Sequence, residues 1–157
     1  MSTTSSETTA IQREIAIAAR PETVWEFLVD PDKAVRWMGR TAEMDARPGG
    51  VHRVEVISGN IASGVFVELD PPRRLVYTWG WEAGAGSPVP PGSTTIEIDL
   101  VPDGDGTTVH FTHRDLPSAE SAARHAHGWE HYFERFVAVA EGREPGEDPW
   151  LATGGMS

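Results

Sequence analysis

Apolar and polar residues alternate from Ile11 to Ile17, where Ile11, Ile15 and Ile17 are set against Gln12, Glu14 and Ala16. Successive side chains of a strand point to opposite sides, so this period of two predicts a strand with one buried face. The period then lengthens. Pro21 suits a first helical position and Glu22 suits the positive end of a helix, while Val24, Trp25 and Leu28 recur at helical spacing to about residue 29. Asp30 as cap and Pro31 as first residue open a second short helix that carries Val35, Trp37 and Met38 and ends near Gly39.

From residue 41 the pattern becomes short alternating runs, at about 41–46, 51–58, 61–69, 73–82, 94–101 and 107–114. They are separated by turn formers: Pro48-Gly49-Gly50, Ser58-Gly59-Asn60, Asp70-Pro71-Pro72, the Gly- and Pro-rich stretch 83–93, and Asp103-Gly104-Asp105-Gly106. Six strands in meander order follow, and no stretch between them is long enough for a crossover helix, so antiparallel pairing is expected. Parity places Val54, Val56, Leu75, Tyr77, Trp79 and Trp81 on the buried side, and with them Ile96, Ile98, Leu100, Val109, Phe111 and His113. His52 shares that parity.

Residues 118–142 contain no proline and a single interior glycine, Gly128, and their apolar residues fall at 122, 126, 129, 133, 136, 137 and 140. One long helix with a continuous apolar stripe is predicted. Its phase sets His125 beside Trp129 and Phe136, and turns His127 and His131 to the far side. A strongly curved sheet cannot cover its own concave face, so this helix is expected to close over it and to leave an internal cavity, with Trp37 and Met38 at one end. The class is α+β. The folded unit spans 11–142, between a flexible N-terminal tail, 1–10, and a loosely ordered C-terminal tail, 143–157, both rich in Ser, Thr, Gly and Pro.

Composition narrows the functional classes. Thirteen basic residues against 24 acidic ones give a formal charge of -11, which repels phosphate backbones and anionic membrane surfaces. Neither nucleic acid nor a membrane is an expected partner, whereas a homodimer is admitted. Zero cysteines exclude disulfides, thiolate nucleophiles and zinc ribbons, and with a polar start that lacks a signal-peptide pattern they suggest a cytoplasmic protein. Six tryptophans are many for 157 residues, and all but Trp150 lie in patterned segments.

With the element order in place, a family resemblance can be read from Pro-Glu-Thr-Val-Trp (21–25), Asp30-Pro31 followed by Trp37, Pro48-Gly49-Gly50 and Asp70-Pro71-Pro72-Arg73-Arg74-Leu75. Thr78-Trp79, Gly106-Thr107-Thr108-Val109, and His125 with Gly128-Trp129 complete the set. The ordered set resembles the START-like (SRPBCC) superfamily, in its activator of heat-shock-protein-ninety ATPase homologue (AHSA-like) branch. The resemblance spans about 11–142. It implies a helix-grip fold with a cavity between sheet and long helix, in a superfamily whose members bind lipids, hormones, polyketides and other apolar molecules. Some members are cyclases or aromatases, and the branch name comes from a co-chaperone.

Three functions are therefore set side by side. The leading expectation is binding of an apolar small molecule, aromatic or polyketide-like, lined by Val54, Tyr77, Trp79, Trp81, Ile98, Phe111 and His113 from the sheet, by His125, Trp129 and Phe133 from the long helix, and by Trp37 and Met38 at one end. Any one of these aromatics taken singly reads as core filling; taken as a group, in a fold that encloses volume, they read as ligand lining. A second possibility is a cyclase, dehydratase or hydrolase with His113 and His125 as acid and base, against which stands the lack of a nucleophile or orienting carboxylate. Third is a co-chaperone-like interaction domain, although a chaperone partner is not expected. His127 and His131 have i, i+4 spacing with Glu130 and Glu134 nearby, but on an outward face this reads as solvated surface, and His110 and His113 stand on opposite sheet faces. No metal and no cofactor are expected.

Overall fold

In a computed structural model, residues 10–57, 59–82 and 89–150 are described. Among them the chain runs β1 (Ile11–Ile17), α1 (Pro21–Val29), α2 (Pro31–Ala34), β2 (Thr41–Met44), β3 (Val51–Ile57), β4 (Asn60–Asp70), β5 (Arg74–Trp79), β6 (Thr94–Asp103), β7 (Gly106–Arg114) and α3 (Ala119–Ala140). The strands form one antiparallel sheet in the order β1-β7-β6-β5-β4-β3-β2, so the meander pairs neighbour with neighbour and β1 joins last, along β7. Register shifts between Glu55 and Ile57 and between Phe66 and Glu68 let β3 and β4 bend. The helix-grip architecture of the sequence reading is the one observed.

Of the twelve positions that parity sent inward, eleven are buried and only Trp81 is half-buried. The helix starts follow the local chemistry. Asp30 Oδ1 accepts from the Asp32 N–H at 2.9 Å to cap α2, and Ser118 Oγ accepts from the Ser121 N–H at 3.1 Å to cap α3. Each satisfies a backbone donor that has no partner inside its helix. Gly39 has φ +85°, and a Cβ there would lie 2.6 Å from the Glu55 carbonyl oxygen, so the turn from α2 into β2 passes too close to β3 for any side chain.

Helix α3 grips the concave face through aromatic contacts. Trp129 meets Trp79 and Phe111 at ring-centroid distances of 5.1 and 4.9 Å, Phe133 meets Phe111 at 4.9 Å, and Phe136 meets Trp37 at 4.7 Å. Arg135 Nε adds a hydrogen bond to the Trp37 carbonyl at 3.0 Å.

Three expectations are corrected. The run 73–82 is not one strand. β5 stops at Trp79, where the chain turns against the 89–92 segment: Trp81 N donates to Val89 O at 2.7 Å, and Pro90 comes so near that a Cβ on residue 80 would lie 1.7 Å from its carbonyl oxygen, a place only glycine fits. The buried stripe of α3 is rotated: His125, Gly128, Trp129, Tyr132, Phe136 and Val139 are buried, while Ala126, Phe133 and Val137 are only half-buried. The reason is a second contact on the back of the helix. His131, expected in solvent, stacks on Trp150 at 3.8 Å and 9°, and its Nε2 lies 2.8 Å from Asp148 Oδ1. Within the segment read as a loose tail, residues 148–150 thus form a strap docked on α3, whereas 151–157 lie outside the described residues. His127 stays exposed and reaches the strap only through a 5.5 Å stack on Trp150.

Candidate functional site

The cavity between sheet and helix is present, and it is small. It is lined from the sheet by Val56, Trp79 and Trp81, from the turn after α2 by Met38, and from α3 by His125, Gly128, Trp129 and Tyr132. The space measures about 20 Å³, room for about one water molecule. Tryptophan rings account for the rest of the volume: Trp79 touches Trp129 at 5.1 Å and stands edge-on to Trp81 at 5.6 Å. No lining side chain carries a formal charge at neutral pH. The ionic groups lie elsewhere, as in the partly exposed pairs Arg53–Glu82, Arg74–Asp99 and Arg114–Glu97.

Two histidines reach this region from opposite sides, and their rings meet edge to face at 5.3 Å. Their protonation follows from their partners. An indole N–H can only donate, so Trp129 Nε1, 3.1 Å away, makes His113 Nδ1 an acceptor. The ring proton then sits on Nε2, which donates to Thr94 Oγ1 at 2.8 Å, and Thr94 passes its own hydrogen to the Trp79 carbonyl at 2.7 Å. His125 has the opposite tautomer. Its Nε2 accepts from Trp81 Nε1 at 3.0 Å, and its Nδ1 donates to the Ser121 carbonyl at 2.9 Å.

Burial holds both rings neutral. It pushes His113 down to about 3, helped by the neighbouring His125, and lowers His125 despite the hydrogen bond to Ser121. His52, stacked on Tyr77 at 4.1 Å, is lowered by burial to about 4. An acid–base pair needs a ring nitrogen facing a reacting atom and a pKa near the working pH. All four nitrogens of His113 and His125 are engaged by protein groups, so the geometry does not favour the acid–base reading.

Of the residues expected to line a ligand site, Met38, Trp79, Trp81, His125 and Trp129 converge on the cavity. Trp37, Val54, Tyr77, Ile98, Phe111 and His113 are buried in the surrounding core, and Phe133 packs half-buried against it. Trp37, for instance, spends its indole N–H on the Phe27 carbonyl at 2.9 Å. Sequence reasoning missed Gly128 and Tyr132 as lining residues and Thr94 as the partner of His113. Tyr132 lies seven residues after His125, two turns along the same face, which was the available signal. Its ring borders the cavity while its hydroxyl faces Asp148, and burial together with that carboxylate pushes the phenol pKa up.

Among the described residues, no helix is long and apolar enough to cross a membrane. The chain is similar to the solution structure of an AHSA1-like protein from Rhizobium etli, at 46% identity over 90% of this chain and 87% of that one, with a TM-score of 0.71. CalU16 from Micromonospora echinospora matches at 28% identity over 85% of this chain and 76% of that one, with a TM-score of 0.68. DynU16, a protein of the dynemicin biosynthetic locus, shares 20% identity over 89% of this chain and 50% of that one, with a TM-score of 0.75, a likeness of fold. No protein of curated function matches. The family model described as Activator of Hsp90 ATPase homolog 1-like protein matches residues 18–141, and the chain belongs to that family.

Proposed function

We propose that this protein binds an apolar, flat small molecule between the concave face of the sheet and α3, and carries out no acid–base chemistry there. The observation that carries this reading is the cavity itself: an uncharged pocket walled by Trp79, Trp81 and Trp129 at the place where helix and sheet meet. Indole faces offer large, flat apolar area suited to ring stacking. A volume of only about 20 Å³ means that a ligand must displace a side chain on entry, and Trp81, half-buried at the rim, is the one placed to move. Exposed large hydrophobic side chains among the described residues are Val65, Val67 and Val101, on β4 and β6, which is little for a protein-docking surface.

The test is a panel of aromatic and aliphatic apolar molecules followed by tryptophan emission and thermal unfolding. A ligand at about a hundred times its Kd stabilises the native state by about 2.7 kcal/mol, several degrees in Tm for a domain of this size. Saturable quenching with such a shift is the expected outcome. A panel that moves neither signal at solubility-limited concentrations would sink the proposal.

A further inference from the structure

The way Trp81 is held points to the chemistry of the ligand. We infer that the Trp81 indole occupies the ligand's own place, and that the natural ligand is an uncharged, flat hydroxyaromatic whose hydroxyl takes over the hydrogen bond to His125 Nε2. The inference rests on the site proposed above and specifies which molecules it takes.

Trp79 and Trp129 are sealed in the core at 2% and 4% exposure, whereas Trp81 is half-buried. The Trp81 backbone is pinned on both sides, by its own N–H to Val89 O at 2.7 Å and by the Glu82 N–H to Ile61 O at 2.8 Å. Its side chain can therefore rotate without the backbone moving. The indole itself has one hydrogen bond, to His125 Nε2 at 3.0 Å, and an edge-on contact with Trp79. When it swings out, the small cavity gains the volume of a bicyclic ring.

What remains behind is specific. His125 Nδ1 keeps its proton on the Ser121 carbonyl, so Nε2 is left as an acceptor and an incoming molecule must donate to it. A buried acceptor left unmet is penalised, which selects a phenolic O–H over a bare hydrocarbon. The lining holds no cation to receive a carboxylate, and burial disfavours protonation of His125 and His113, so an anion finds no counter-charge. Trp79 Nε1 adds a second cue. It is buried in the cavity wall without a hydrogen-bond partner among the described residues, and suits a carbonyl or ether oxygen on the same ring system.

The probes are 2-naphthol, naphthalene and 2-naphthoate, titrated into the full chain with the indole N–H resonances followed by NMR. Naphthol should bind about tenfold more tightly than naphthalene, the worth of one hydrogen bond, and naphthoate more weakly than naphthol by at least as much. The Trp81 N–H signal should shift on binding while that of Trp129, bonded to His113, stays. W81A opens the place outright and should bind naphthol more tightly than wild type; W81F, which keeps a ring but loses the N–H, should do so to a smaller degree and covers the case in which W81A fails to fold. In H125L the preference for naphthol should fall to near one. Equal binding of naphthol and naphthalene in wild type and H125L, with the Trp81 resonance unmoved, would overturn the ligand class and leave the site standing. No binding of any probe to wild type and folded W81F would overturn the site as well.

Discussion

Acidification from about pH 7 to about 5 should weaken this protein from its interior, because its buried histidines are neutral in the native state. His52 and His113 have native pKa values of about 4 and about 3 against 6.5 for the free side chain. A native pKa held below the unfolded one gives stability that is complete above 6.5 and is lost as the pH falls toward the native value, since only the unfolded chain then takes up the proton. At pH 5 the gap from 6.5 is 1.5 units, worth about 2 kcal/mol for each histidine and about 4 kcal/mol for the pair, out of the 5–15 kcal/mol typical of a domain. His125, lowered in the same direction, adds to this. Carboxylates do not confuse the window, because those with shifted values, Glu82, Glu97 and Glu141, lie below 4.5. The assay is urea unfolding at a series of pH values, where the pair should lower the free energy by about 2.4 kcal/mol between pH 6 and 5. His52→Phe keeps the stack on Tyr77 and should remove about half of that slope. A stability that is flat from pH 7 to 5, or an unchanged slope in H52F, would refute the assignment of neutral buried rings.

Other changes have equally direct readouts. Trp129→Phe removes the donor to His113 Nδ1 and part of the ring that packs on Trp79 and Phe111, so denaturant unfolding should show a loss of about 2–4 kcal/mol. Gly80→Ala places a methyl where the Pro90 carbonyl oxygen is 1.7 Å away and should abolish soluble expression or cost more than about 3 kcal/mol, whereas Gly59→Ala, with open space around it but φ +83°, should cost only about 1 kcal/mol. Asp148→Ala deprives His131 Nε2 and the Trp150 N–H of their shared acceptor; hydrogen exchange should show the strap released, with about 1–3 kcal/mol lost in unfolding.

The sheet was legible in the sequence because period two has only one error mode, a slip of register, and Gly and Pro clusters reset the phase before each strand. The exception at 80–82 is instructive: Trp81 keeps the right parity, but the close approach of Pro90 to Gly80, where β5 has ended, is a contact that no local pattern records. The phase of α3 was harder to read. Tyr132 was not placed on its buried stripe because the helix is covered on two sides, and the second cover, Asp148 and Trp150, comes from a segment whose composition resembles a loose end. His125 was rightly turned inward, but its role depended on Trp81 delivering an N–H across the cavity, and that of His113 on Thr94, polar residues that no period marks. The cavity volume lay beyond the sequence altogether, since it is the remainder after three indoles choose their rotamers.

The hydrogen bonds that run from Trp129 through His113 and Thr94 to the Trp79 carbonyl all point one way, and this sets a grammar for which replacements the interior can accept. Position 113 must receive on one side and give on the other, so a glutamine amide meets the rule and a phenyl ring does not. Position 94 has to do both with a single atom, which leaves serine as its natural substitute and excludes valine despite the matching shape. Homologues that break the rule at one of these places are expected to break it at its neighbours too, and the three positions should therefore vary together or not at all.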